Sequence, residues 1–160
     1  MTRASRPDSL SQASGSIPSL KTGTVLAFDF GERRIGVAVG EAGLGIAHPL
    51  ETIDAAANDV RFARIATLID KWQPVTLVVG LPLALDGTAH QLTDLARKFS
   101  QRLNGRFGLQ VRLVDERLTS VEAQHAAREG GLDGREAKKH VDSLAAKLIL
   151  ETFFDENAIA

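Results

Sequence analysis

No cysteine occurs among the 160 residues. Disulfides, thiolate zinc sites and cysteine nucleophiles are therefore excluded, and any metal must rest on oxygen or imidazole ligands. No apolar run approaches the roughly eighteen residues that a membrane-spanning helix needs, and the N-terminus lacks the apolar core of a secretory signal. A soluble, cytoplasmic protein with no membrane partner is expected. Neither sign of charge is in surplus, with 19 basic residues against 20 acidic and a net charge of −1, so the chain does not advertise itself as a nucleic-acid binder. Outside the first 22 residues the balance is 16 basic to 19 acidic. Attraction to phosphate would have to come from local clusters or bound cations.

What is present is an apolar fraction of 44%, enough for one domain with a real core but too short a chain for two catalytic domains. Residues 1–22 hold six serines with Pro7, Gly15 and Pro18 and no apolar periodicity, which reads as a disordered tail ahead of a domain spanning 23–160. The run Thr24–Phe30 is apolar at both parities, as in a central strand covered on both faces. Gly31-Glu32 makes a tight turn, Arg34–Val39 is rich enough in β-formers to return antiparallel, and Leu44–Ile53 supplies a third strand. Phe62, Ile65, Ala66, Ile69 and Trp72 then recur at helical spacing up to Pro74, and Val75–Val79 forms a buried strand closed by Gly80.

Thr88-Ala-His-Gln91 has the form of a capping box opening a helix to about Leu103. A strand over Gln110–Asp115 precedes a second box at Thr119–Glu122. The last helix carries Val141, Leu144, Ala145, Leu148, Ile149 and Phe153 on one face. The order βββαβαβαα predicts an α/β fold whose mixed five-stranded sheet, three antiparallel strands followed by parallel ones, is flanked by helices.

Three carboxylates could carry chemistry. Asp29 interrupts an otherwise apolar strand, where an unpaired charge costs several kcal/mol, so it is a metal ligand, a hydrogen-bonded group or a turn-initiating residue before Gly31. Glu116 follows the strand ending at Asp115. Alternation puts those two on opposite faces, so one of them can join Asp29, although either could instead cap a helix or pair with Arg112 or Arg117. Asp142 lies at the margin of the apolar stripe of the last helix, where Ala145 and Ala146 permit close approach to a sheet. A partner such as Lys138 or Lys139 is the plainer reading for it. Repulsion among three converging carboxylates would be relieved by Mg²⁺ or Mn²⁺, which suit an all-oxygen site.

Other patterns are absent. His48, His90, His125 and His140 lack zinc-motif spacing, no serine sits in a hydrolase elbow, and Gly80-Leu-Pro is no phosphate loop. Arg33, Arg34, Arg117, Lys138 and Lys139 lie beside the carboxylates and could meet phosphates, whereas Arg61, Arg64, Arg97 and Lys98 read as solvated helix faces.

Four segments together closely resemble the YqgF family: Asp29-Phe-Gly-Glu-Arg-Arg-Ile-Gly-Val-Ala38, Val79-Gly-Leu-Pro-Leu-Ala-Leu-Asp-Gly-Thr88, Asp115-Glu-Arg-Leu-Thr-Ser120 and Val141-Asp-Ser-Leu-Ala-Ala146. The resemblance runs from about Thr24 to Asp155. It implies an RNase H-like fold and a nuclease that matures the 5′ end of precursor 16S rRNA within immature ribosomal particles, with Asp29, Glu116 and Asp142 as the acidic site. The family often has asparagine where Ala84 stands here, which bears on a substrate contact and not on the acids. The expected mechanism uses two Mg²⁺ or Mn²⁺ ions about 4 Å apart, bridged by Asp29, to activate water and stabilise the leaving 3′ oxygen. Arg34 and Arg117 are candidates for the scissile phosphate, and Asp86 and Thr88 for strand positioning.

Three rivals remain. A nucleotide-binding relative of the actin fold needs two domains, which the length excludes. A non-catalytic nucleic-acid or ribosome-binding protein could retain all three acids. A resolvase of branched DNA would work as a symmetric dimer, whereas a monomer or weak dimer is expected here.

Overall fold

The computed structural model describes residues 22–84, 86–117 and 134–159, with side chains described through that range except at 134–138 and 157–159. The tail expected at 1–22, all but its last residue, and the helix expected from Thr119 lie outside the described residues. In chain order the elements are β1 (Thr24–Asp29), β2 (Arg34–Glu41), β3 (Ile46–Asp54), α1 (Asn58–Trp72), β4 (Thr76–Leu81), α2 (Gln91–Phe107), β5 (Val111–Asp115) and α3 (Gly134–Ile159).

The strands form one sheet in the order β3-β2-β1-β4-β5. β1, β2 and β3 are antiparallel neighbours, and β4 and β5 run parallel to β1. This is the expected mixed sheet. β3 lies at an edge, which is where Pro49 can be tolerated within a strand, and the β2–β3 register slips between Val37 and Ala38 opposite it.

The two faces of the sheet differ in the size of their side chains. Leu26, Phe28, Ile35, Val37, Val39, Leu77 and Val79 pack with Phe62, Ile65 and Leu68 of α1 and Phe99 and Leu103 of α2. The opposite face carries Val25, Ala27, Ala38, Val78 and Val114 against Ala146, Ile149, Leu150 and Phe153 of α3. Strand alternation makes this sorting obligatory, because successive side chains leave on opposite faces. Along β2 the α1/α2 face receives Ile35, Val37 and Val39, while the α3 face receives only Gly36, Ala38 and Gly40. A Cβ at Gly40 would press on Leu150 and Phe154 of α3, so the small stripe sets how closely that helix lies on the sheet.

Two local expectations are corrected. Helix α2 begins at Gln91, three residues after Thr88, and the amide of His90 donates to Thr93 Oγ1 at 3.0 Å. Thr88 does not cap because its amide and hydroxyl both donate to Asp86 Oδ1 within the preceding turn, at 2.9 and 2.7 Å. Arg61 is not on a solvated face: it is 3% exposed, whereas Arg64 reaches outward to a two-pronged pair with Glu51. Arg61 Nε donates to the Ala55 carbonyl and its Nη2 to the Gly31 carbonyl, both at 2.5 Å, and its guanidinium stacks 5.4 Å from the Phe30 ring centroid. Burial lowers its pKa, partly offset by Glu32.

Arg61 thus joins the turn after β1 to the start of α1. Among the described residues no helix is long and apolar enough to cross a membrane. Arg61→Leu, which keeps bulk but strands two carbonyls, is expected to lower unfolding stability by about 2 kcal/mol, read as a lower urea midpoint at unchanged slope.

Candidate active site

Asp29 is the last residue of β1 and shares the α3 face with Val25 and Ala27. Glu116 follows β5 and has the parity of Val114, which faces α3 as well. Asp115 therefore points the other way, is exposed, and accepts from the Arg117 amide at 3.0 Å and from its guanidinium at 2.8 Å. Asp142 comes down onto the same face from α3. All three acids are thereby on one side of the sheet, near the ends of β1 and β5 and the start of β2.

Two glycines make room for this arrangement. Gly36 is the cross-strand partner of Asp29, and a Cβ on it would overlap the backbone carbonyl of Asp142. Gly80 follows Val79, which pairs with Phe28, on the other neighbouring strand. A Cβ there would overlap Glu116 Oε2 and the Ile149 side chain. Asp29 thus has a glycine on either side of it, and each gap is filled by a segment carrying one of the other two acids. The period-two run Gly36-x-Ala38-x-Gly40 is the sequence signal for the close approach.

The carboxyls of Asp29 and Glu116 are in hydrogen-bond contact. Burial pushes the Asp29 pKa well above the ordinary aspartate value, and the Glu116 charge, the shared hydrogen bond and the Asp142 charge add to it. Glu116 is also raised, mainly by burial, although the hydrogen bond with Asp29 works the other way. Asp142 lies within electrostatic reach of Asp29 but bonds elsewhere: Arg34 Nε donates to its Oδ2 at 2.9 Å. Its pKa is raised by burial against the lowering effect of Arg34. Lys139, a suggested partner, lies instead 3.9 Å from Asp54. Among the described residues no three acids or histidines stand close enough to grip one ion together.

The remaining candidates sit at the rim. Asp86 and Thr88 are exposed and bonded to each other, which lowers the Asp86 pKa. Gly87 between them has φ +90°, a conformation that side-chain-bearing residues rarely adopt. A Cβ on it would stand 3.5 Å from an Arg117 Nη. The structure therefore brings Arg117 to the Asp86–Thr88 loop, while Arg34 is held at the carboxylates.

This sheet and helix arrangement is that of the RNase H-like class. Thermus thermophilus RuvC, in a complex with a Holliday junction substrate, aligns over 85% of this chain and 96% of its own with a TM-score of 0.52 at 15% identity, a likeness of fold alone. The sequence is more specific. The profile of the RuvX family, described as Holliday junction resolvase, matches residues 23–156. A protein of Methylobacillus flagellatus named "Putative pre-16S rRNA nuclease" is 61% identical over 83% of this chain and 91% of its own. Proteins of the same name from Chromobacterium violaceum and Nitrosomonas europaea are 57% and 53% identical, over 84% and 86% of this chain and 99% and 93% of theirs. The chain belongs to the RuvX family, the YqgF family of the resemblance noted above, and is an RNase H-like nuclease.

Two outcomes follow from the geometry. Gly36→Ala is expected to cost about 1–3 kcal/mol, as overpacking does, and to lower activity further by displacing Asp142, measured by urea unfolding beside a cleavage assay. An acid raised in the folded state contributes stability that is fully present below its unfolded pKa, near 4, and lost as pH rises through the folded value. Asp29→Asn should therefore stabilise the cation-free protein at pH 7 by about 0.5–2 kcal/mol, and the gain should vanish at low pH.

Proposed function

We propose that the chain is a metal-dependent ribonuclease that trims the 5′ extension of precursor 16S rRNA in immature ribosomal particles. The observation that carries the proposal is the contact between Asp29 and Glu116. Two desolvated carboxyls placed side by side cannot both ionise without cost to the fold, and a divalent cation is the natural relief. The donor chemistry suits Mg²⁺ or Mn²⁺, since Asp29, Glu116 and Asp142 offer only oxygen, with Asp142 having to leave Arg34 to join the other two. Such a cation, when bound there, would supply charge neutralisation and an activated water.

The chain's own residues would do the rest. Asp29 and Glu116 present oxygens at one point between the ends of β1 and β5, and Asp142 adds a third carboxylate from α3. Arg117 offers positive charge beside the Asp86–Thr88 loop, and Arg34 offers it at the start of β2. These two supply the local attraction for phosphate that the net charge does not. The internally bonded Asp86–Thr88 turn would act as a firm rest for the substrate strand rather than as a source of free hydrogen-bonding groups. The rRNA substrate comes from the names of the relatives, which are more than 50% identical over most of this chain.

A second reading, cleavage of four-way DNA junctions, is favoured by the family's description. One experiment decides between them. Wild type and Asp29→Asn are offered a 5′-extended 16S precursor, free and in the immature particle, and a four-way junction, each with Mn²⁺ or EDTA. We expect Mn²⁺-dependent RNA cleavage, abolished by EDTA and lowered more than about a hundredfold by the substitution, since even outer partners of a metal site can cost that much. Junction cleavage alone would establish the resolvase reading. Folded wild-type protein that cuts neither substrate would overturn both.

A further inference from the structure

Arg34 is well placed for a phosphate by sequence, yet it lies on a carboxylate. It opens β2 opposite Asp54 and donates through Nε to Asp142 Oδ2 at 2.9 Å, with the two side chains 26% and 21% exposed. The acids of this site balance their charge in two different ways. Asp29 and Glu116 do so through the hydrogen bond between their carboxyls. Asp142 does so by engaging an arginine, because its carboxyl is only half-buried and has that cation within reach.

A divalent cation seated at Asp29 and Glu116 could recruit Asp142 only if that carboxylate gave up Arg34, and its charge would repel the guanidinium. The side chain is long, a quarter exposed and anchored at a strand end beside the turn 30–33, so it can turn outward without disturbing the sheet. We propose that Arg34 is the counter-ion of Asp142 in the cation-free protein and leaves it on cation loading, becoming available to the phosphate backbone of the substrate. This rests on the nuclease reading above and adds an order of events to it. Cation binding and phosphate binding are then coupled through one guanidinium that serves two alternative anions, and linkage makes the coupling reciprocal. The ion pair also keeps Asp142 in position over Gly36 until the cation arrives.

The test measures Mn²⁺ binding to RNA-free protein by the electron paramagnetic resonance signal of unbound Mn²⁺, with thermal melting alongside. Arg34→Gln removes the competing charge and should tighten Mn²⁺ binding about fivefold, the scale of a partly exposed ion pair, while lowering the melting temperature without cation. Arg34→Lys keeps the charge and should stay within about twofold of wild type. A short single-stranded RNA should bind wild type more tightly with Mn²⁺ than without, and Arg34→Gln should lose most of that difference. Arg34→Met replaces Gln should the latter fold poorly.

Mn²⁺ binding that Asp29→Asn abolishes but Arg34→Gln leaves unchanged or weakens would overturn the counter-ion role and leave the nuclease reading standing. No Mn²⁺ binding by folded wild type would overturn both.

Discussion

The seating of α3 on the sheet is the constraint on which the rest of this structure depends. A helix normally stands off a sheet by the depth of the side chains between them, and here β2 offers that helix only Gly36, Ala38 and Gly40. At Gly36 the helix backbone itself fills the space a methyl group would take. That approach brings Asp142 toward a strand residue, Asp29, which could not otherwise meet a side chain from so short an acid. The large residues displaced from this face all lie on the other, where Ile35, Val37 and Val39 meet α1 and α2. One face packs for stability and the other for proximity.

The acids cost stability where they stand. Asp29 is desolvated, and burial together with the Glu116 and Asp142 charges raises its pKa well above the ordinary aspartate value. Asp142 instead engages an arginine. A chain selected only for stability would replace Asp29 with an apolar residue matching the rest of β1. The acid's presence beside two glycines that also weaken strands is understandable as a requirement of function.

Arg61 has the complementary role on the opposite side of the same turn. It is buried, yet its guanidinium is satisfied by two carbonyls and an aromatic face, and the Glu32 charge nearby adds to that compensation. It ties the segment leaving Asp29 to the helix that packs beneath it. An exposed cation such as Arg64 is thus distinguished from Arg61 by burial and not by any difference in sequence environment that periodicity would show.

The order of the described elements, the antiparallel meander, the parallel strands that follow and the membership of the family were legible from the chain alone, because hydrophobic periodicity and turn residues are local and four segments match the family's pattern. Asp29 and Glu116 stand out as acids within or beside an apolar strand, whereas Asp142 at the margin of a helical stripe reads more plainly as a surface pair, and it joins the other two through the family resemblance. Their mutual arrangement was not legible. Which acid of Asp115 and Glu116 turns inward, that Asp142 bonds to Arg34 while Lys139 lies by Asp54, and that Thr88 is taken by Asp86 before it can cap α2 all depend on residues tens of positions apart or on competition for one hydroxyl. Sequence fixes what each side chain can do within a turn or a strand; only the packing of α3 against β2 decides which partners are near enough for it to be done.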